Sequence, residues 1–217
     1  MMLKAKLLDK KGSSDEALKE FNEIISANTV PEISAESAIY AGEILARRRK
    51  FKDAREMFLR AAALHKSGLL SDIATGRAID CDLEQSALPD PALFNETVAR
   101  CERLAAATKF PQIRIQTLYK LGLCRENAGD PAGAVSAYEK LIYAANDLAA
   151  DGIEPDKEWC IRGVESALDV ICRYRLPGAL QRGLRIINNF DALKIKDVSG
   201  AELKKHFRNQ LKNTRRK

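Results

Sequence analysis

The chain has 217 residues, of which 46% are hydrophobic and 30% are charged. This composition predicts a folded chain of one large or two small domains, and it excludes wholesale disorder. No stretch approaches the roughly 20 apolar residues that a membrane span needs, and the first residues contain no apolar signal-peptide region.

The net charge of +6 is concentrated at the C-terminus. Residues 194–217 hold nine Lys or Arg side chains against two carboxylates, a net charge of +7, so the rest of the chain sums to −1. A basic tail can bind nucleic acid, an anionic lipid surface or an acidic protein. Cations are also favoured at the C-terminal end of a helix, so a solvated last helix explains the same charges.

Apolar residues recur along the chain with the i, i+3, i+4, i+7 spacing of amphipathic helices, and strand signals are almost absent. One helical pattern recurs five times: a small or short residue is followed four and seven positions later by residues on the same helical face. In chain order, these triplets are Ala17/Phe21/Ile24, Ala54/Phe58/Ala61, Thr97/Cys101/Leu104, Ala134/Tyr138/Leu141 and Ala179/Gly183/Ile186.

A second helical segment precedes each of these and has a small residue of its own, in most cases twelve positions earlier. These residues are Ala5, Gly42, Gly76, Gly122 and Ala167. A small residue inside a helix costs stability or contact area, so its recurrence predicts that two helices cross closely there. The repeating unit is therefore predicted to be a helical hairpin. The approximate units are 1–28, 34–66, 69–107, 113–147 and 158–190, with extra residues inserted around SALPDPALF in the third.

The segment LYKLGLCRENAGDPAGAVSAYEKLI, residues 118–142, resembles a tetratricopeptide repeat (TPR). Its matching positions are Leu118, Leu121, Gly122, Ala134, Tyr138 and Leu141. Residues 39–62 and the first unit fit the same pattern, whereas the third and fifth units are degenerate. The resemblance implies an all-α fold: a right-handed α-α superhelix of about five TPR-like hairpins over residues 1–196, closed by a capping helix.

The last segment, residues 197–217, is predicted to form that basic, amphipathic capping helix. Ser199 and Glu202 have the spacing of a capping box. Leu203, Phe207 and Leu211 then form an apolar stripe among basic residues, which suits a helix that covers the last apolar face of a repeat stack. No comparable device precedes the first hairpin, so that edge is a candidate for self-association unless the chain is part of a longer array.

In proteins similar to this one, the first helix of each hairpin lines an inner groove. The exposed residues of that helix lie three positions before, one position after and four to five positions after its small residue. The resemblance implies a groove for a protein partner, either an extended peptide or an amphipathic helix. The implied groove residues are Ile39, Glu43, Arg47, Ile73, Arg77, Tyr119, Leu123, Glu126, Val164 and Leu168.

Four of these residues, Ile39, Ile73, Tyr119 and Val164, would form an apolar ladder. TPR modules that bind the C-terminal carboxylate of a peptide use a clamp of Lys, Asn and Arg residues at such positions. This sequence has Ile39, Tyr40 and Glu43 there instead, which disfavours binding of a peptide C-terminus. Alternatively, another segment of the same chain covers these four residues, and the protein is then a purely structural assembly module. Nucleic acid is disfavoured because few aromatic residues are left over for stacking.

Nothing in the sequence indicates catalysis, a metal or a cofactor. The two histidines, His65 and His206, are far apart, and no phosphate-binding or nucleophile motif occurs. The five cysteines are widely spaced and lack a CxxC pair, so they are predicted to be buried thiols of a non-enzymatic scaffold. Unpaired thiols favour a reducing, cytoplasmic compartment.

Overall fold

The computed structural model describes residues 1–85, 91–196 and 198–214, and these contain eleven helices and no strand. The helices are α1 (Met2–Lys10), α2 (Ser14–Ala27), α3 (Pro31–Arg47), α4 (Phe51–Leu64), α5 (Leu69–Gln85), α6 (Pro91–Ala107), α7 (Pro111–Asn127), α8 (Pro131–Ala150), α9 (Lys157–Arg173), α10 (Ala179–Asp191) and α11 (Gly200–Thr214). The fold is all-α, as the sequence predicts. None of the described helices is long and apolar enough to cross a membrane.

The chain divides into two compact units, with α1–α5 in the first and α6–α11 in the second. In the first unit each helix packs on the next one along the chain. Its core is built from small and aromatic side chains, including the fully buried Ala17, Phe21, Ala54 and Phe58. These are four of the six residues of the first two sequence triplets. Ala61 is buried as well and Ile24 is partly buried, so the face predicted to be buried in α2 and α4 is the one that packs in the core.

The turns within the hairpins share one backbone pattern. After α1, α3, α7 and α9, one residue adopts a left-handed conformation: Gly12, Arg49, Gly129 and Arg175, with φ between 50° and 86°. The next amide then bonds to a carbonyl five residues back, as in Lys50 N to Leu45 O and Asp130 N to Arg125 O. This is the Schellman ending of a helix, and its recurrence is direct structural evidence of a repeat.

Close helix crossings occur at two of the predicted small residues. A Cβ atom added to Gly42 of α3 would lie 2.7 Å from Cε1 of Phe58 on α4. In the second unit, a Cβ atom on Gly122 of α7 would lie 2.7 Å from Cδ1 of Tyr138 on α8, and closer still to Cε1. Only glycine lets these buried rings lie against the helix backbone, which confirms the predicted crossings.

Gly183 of α10 occupies a position where the first, second and fourth units have a large aromatic residue, and the structure explains the difference. The ring of Phe207, from α11, lies against the backbone of Gly183 and is fully buried. A side chain at position 183 would displace that ring. The C-terminal helix therefore docks on α10 and α9 through its predicted apolar stripe, and Ser199 Oγ accepts a hydrogen bond from Ala201 N at its start.

The predicted units can be compared with the helices one by one. The first, second, fourth and fifth each contain two consecutive helices. The third combines α5 and α6, which fall in different compact units, so their grouping as one hairpin stays a prediction. Residues 86–90 of the SALPDPALF insertion lie outside the described residues, as do Asp197 and 215–217 of the predicted capping segment.

All five cysteines are buried, and none forms a disulfide. Burial raises the pKa of the Cys81 thiol to about 11 and that of Cys160 to about 12. A thiol with such a pKa is almost entirely protonated near neutral pH, so it is a weak nucleophile and a poor metal ligand. These cysteines are core side chains.

Candidate functional site

In the first unit, one face of α3 remains accessible. Glu36, Tyr40 and Glu43 are partly exposed and Arg47 is exposed, at the i, i+4, i+7, i+11 spacing of a single helical stripe. Ile39 is only 7% exposed and belongs to the core. Its predicted exposure is therefore wrong, and Tyr40, the next residue, is the one at the surface.

The corresponding stripe on α5 consists of Ile73, Arg77, Asp80 and Glu84, each 37 residues after its counterpart on α3. These four side chains are partly or fully exposed, and α3 and α5 are in contact. The predicted Ile73 and Arg77 therefore lie at the surface as expected. We call the eight residues of the two stripes the α3–α5 face.

Contacts with α1 hold one side of this face in place. Lys6 Nζ lies 3.0 Å from Glu36 Oε1 and 4.3 Å from the centre of the Tyr40 ring, and Tyr40 stacks on Phe21 at 5.7 Å. At the other end, Arg47 Nη2 donates to both carboxylate oxygens of Asp9, at 2.6 and 2.7 Å. One nitrogen of Arg47 thus bonds to both oxygens of the Asp9 carboxylate.

A cavity of about 340 Å³ opens on the α3–α5 face. Its base is apolar, formed by Ala46, Phe51, Phe58 and Cys81, and its edge is charged. The edge consists of Glu43, Arg47, Arg77, Asp80 and Glu84. Three of these residues, Glu43, Arg47 and Arg77, were predicted from the sequence. The structure adds Glu84 and the apolar base.

Within that edge, Arg77 and Glu43 form only a loose ion pair, with Nη2 and Oε1 3.9 Å apart. Both side chains are substantially exposed, 53% for Arg77 and 35% for Glu43. An exposed pair at this distance contributes little to stability. Either group can therefore give up this ion pair and bind a charged group of a ligand instead, with little loss of folding stability.

In the second unit, α7 presents the predicted Tyr119, Leu123 and Glu126, all partly exposed. The Tyr119 ring lies 5.3 Å from the ring of Trp159 and 5.7 Å from that of Tyr138. Glu126 Oε1 accepts a hydrogen bond from Arg173 at 2.6 Å. These three predicted residues are accessible, but two of them are already in contact with other side chains of the unit.

Two predicted residues of α9 are not accessible: Val164 is 0% exposed and Leu168 is 5% exposed. Their predicted exposure is wrong, because α9 is covered on several sides, by α7, α8, α10 and α11. A Cβ atom added to Gly163 would lie 3.1 Å from a terminal methyl of Leu141 on α8, so this side of α9 faces α8. The exposed stripe of α9 is instead Arg162, Glu165, Asp169 and Arg173.

The sequence reasoning missed Tyr40 and Trp159. Tyr40 had a usable signal, because Glu36, Tyr40, Glu43 and Arg47 form a polar stripe among Ala, Ser and Ile residues. Trp159 lies just inside α9, whose first turn is capped by Asp156 accepting from Glu158 N. Arg162 lies over its ring at 5.3 Å. Tryptophan is enriched among the residues that dominate binding energies, so the residue type alone was a signal that Trp159 is a candidate binding residue.

Paired helices, recurring left-handed turns and close crossings define an α-helical repeat protein. Comparison with known proteins agrees: residues 116–144 match the tetratricopeptide repeat family model. A crystal structure of nearly identical TPR-like repeats from Podosopora anserina, assigned there to a kinesin light chain, matches with a TM-score of 0.58. The sequence identity is 12%, and the match covers 90% of this chain and 94% of that one. No curated protein sequence matches.

The chain therefore has a TPR-like helical-repeat fold, and residues 116–144 resemble a tetratricopeptide repeat. Repeats of this kind generally mediate protein–protein interactions and are generally non-catalytic. Similarity at this level of identity establishes the fold, and the partner has to be argued from the residues of the α3–α5 face.

Proposed function

We propose that this protein is an interaction module that binds a segment of a partner protein on the α3–α5 face of its first unit. The observation that supports this most directly is the cavity with an apolar base and a charged edge. A concave, mostly apolar site with a few polar groups is the usual form of a recognition site. Its base is made of helix side chains packed into the core, so it is preformed.

The size of the cavity suits a single large side chain of the partner. Burying a Leu or Phe side chain there contributes roughly 1.5–3 kcal/mol, and the charged edge sets the orientation of the segment around it. An extended peptide or one face of an amphipathic helix can supply such an anchor. The α7 residues Tyr119, Leu123 and Glu126 are proposed as a secondary contact surface within the second unit.

A nucleic-acid or anionic-surface role rests on α11, where Lys205, Arg208 and Lys212 are exposed while Phe207 is buried. The rings of Tyr40 and Trp159, two of the partly exposed aromatic residues, do not support it. Tyr40 is stacked on Phe21 and covered by Lys6, and Trp159 is packed between Tyr119 and Arg162. Stacked bases need open ring faces. A protein partner therefore fits the described residues better.

Filling the cavity is expected to abolish this binding. Ala46→Trp places an indole in the cavity, whereas Ala63→Trp adds the same group on an exposed part of α4 outside it. A phage library of random 12-residue peptides is selected on the immobilised full chain, and fluorescence anisotropy gives the affinities of the selected peptides. We expect Ala46→Trp to weaken them by about tenfold or more, the loss of one buried anchor.

Ala63→Trp is expected to leave the same affinities unchanged, and far-UV circular dichroism checks that both variants fold. Selected peptides that bind Ala46→Trp as tightly as the wild-type chain would show that they use another surface. The proposed role of the α3–α5 face would then be wrong.

A further inference from the structure

We infer that the second unit has a binding site of its own, for a small organic anion that joins an apolar group to a carboxylate. The site is a cavity of about 520 Å³ where the end of α9, the first turn of α10 and the end of α11 meet. We call it the α10 cavity. It lies within the second unit, so the inference goes beyond the function proposed for the α3–α5 face and does not depend on it.

The walls of the α10 cavity are mainly apolar. Its apolar lining residues are Cys172, Leu176, Ala179, Leu180 and Leu211. Leu180 is 44% exposed, so a ligand that covers it removes apolar surface from water, which is favourable. The volume lies within the range of about 300–1,000 Å³ that holds small organic ligands. An alkyl or aromatic group therefore fits these walls.

Arg175 is the one charged residue that lines the α10 cavity, and its side chain forms no ion pair with any residue that the structure describes. Neighbouring arginines differ in this respect. Arg173 is bound to Glu126 at 2.6 Å, and Arg182 is bound to Glu139 at 2.8 Å. The guanidinium group of Arg175 is therefore available to a ligand, and a carboxylate matches it with charge-assisted hydrogen bonds.

The surroundings of the α10 cavity favour an anion as well. Residues 179–181 form the first turn of α10 and line the cavity, and no side chain in the described part of the chain caps that turn at Gly178. The amide groups of an uncapped first turn carry a partial positive charge. On α11, Arg208 and Lys212 are exposed within one turn of Leu211. A cationic ligand is repelled by all of these groups.

The two properties together select the class of ligand. A purely ionic ligand such as acetate pairs with Arg175 but leaves the apolar walls in water. A neutral apolar ligand covers the walls but has no charge for the guanidinium group. A molecule that carries a carboxylate on an alkyl or aromatic body satisfies both, and the α10 cavity is therefore a site for an amphipathic carboxylate.

Octanoate, octanol and acetate separate the two parts of this recognition, because octanol lacks the charge and acetate lacks the alkyl chain. Two-dimensional NMR titration of the isotope-labelled full chain measures their affinities and locates the site. We expect octanoate to shift the amide signals of residues 172–181 and to bind about tenfold more tightly than octanol, the effect of one hydrogen bond to a charged group. Acetate is expected to give no detectable shift there.

Two pairs of variants test the residues themselves. Arg175→Asn removes the charge and keeps the left-handed backbone (φ 50°), which asparagine tolerates. Arg49→Asn is its control, because Arg49 has a φ of 59° in the turn after α3. We expect the affinity for octanoate to fall about tenfold in Arg175→Asn and to stay unchanged in Arg49→Asn. Leu180→Ser is expected to weaken octanoate and octanol alike, whereas Leu69→Ser, at an exposed leucine that begins α5, changes neither.

Equal affinities for octanoate and octanol, or unchanged octanoate binding in Arg175→Asn, would overturn the inference. The absence of octanoate-induced shifts in residues 172–181 would also overturn it. Ala46→Trp, which fills the cavity of the α3–α5 face, is expected to leave octanoate binding unchanged. Failure of this inference therefore leaves the proposed function standing, and the reverse also holds.

Discussion

Arg55→Met is expected to lower the free energy of unfolding of the first unit by about 3–5 kcal/mol. Arg55 Nε lies 2.6 Å from Oδ1 of Asp82, and this ion pair joins α4 to α5. The Asp82 side chain is 0% exposed. Removing the guanidinium group takes a counter-charge away from that buried carboxylate, whose desolvation cost is then less well compensated.

Urea denaturation followed by far-UV circular dichroism measures the effect. Arg60→Met is the matched control, because Arg60 is exposed on the same helix, and its effect is expected to stay within about 0.5 kcal/mol. The double variant Arg55→Met/Asp82→Leu is expected to recover most of the loss, since it removes both charges together. Equal stabilities of the Arg55 and Arg60 variants would show that the ion pair is not needed to hold α4 against α5.

Gly122→Ala is expected to destabilise the second unit by about 1–3 kcal/mol, through overpacking. The added methyl group would lie inside van der Waals contact of the Tyr138 ring, which is fully buried and cannot move away. The same substitution at an open helical position stabilises a helix, because alanine has the higher helix propensity. The sign of the change therefore reports on the crossing of α7 and α8.

Gly163→Ala is the matched control in the same unit. Its added Cβ atom would lie 3.1 Å from a terminal methyl of Leu141, a side chain that can shift. We expect this variant to be as stable as the wild-type chain or slightly more stable. Trp159, the single tryptophan, lies in this unit, so its fluorescence follows the unfolding of both variants in urea. Similar stabilities for the two variants would contradict the close crossing at Gly122.

The sequence was sufficient to predict the helices and their pairing within most hairpins. Helical periodicity and the small-residue positions are local signals, and each close crossing involves residues only sixteen apart, as Gly42 and Phe58 are. The docking of Phe207 on Gly183 was partly foreseen, because the apolar stripe of the last helix was visible. Its docking site at Gly183 on α10 could not be predicted. A glycine in place of a large residue is indistinguishable from the loss of the repeat pattern until the residue that packs on it is known.

The rotation of each helix about its own axis could not be predicted. Neighbouring residues on a helix point about 100° apart, so an error of one position places a core residue at the surface. That error separates Ile39 from Tyr40. For Val164 and Leu168 the cause is different, because their burial depends on helices that pack on α9 from other parts of the chain.

The cavity is likewise a product of packing among three helices, α3, α4 and α5. Glu43 and Arg77 were predicted as separate groove residues, but the apolar base beneath them depends on where Phe51 and Phe58 of α4 lie between α3 and α5. No periodicity within α3 or α5 contains that information. The candidate site could therefore be predicted as a set of surface residues and not as a shaped cavity.

Hydrogen exchange of the full chain, with and without a selected 12-residue peptide, locates the bound segment directly. We expect slower exchange in the last turns of α3, at the start of α4 and in the second half of α5, around residues 43–51 and 77–84. Protection confined to α7, α9 or α11, with exchange around Glu43 and Arg77 unchanged, would show that the partner binds elsewhere and that the α3–α5 face is not the binding site.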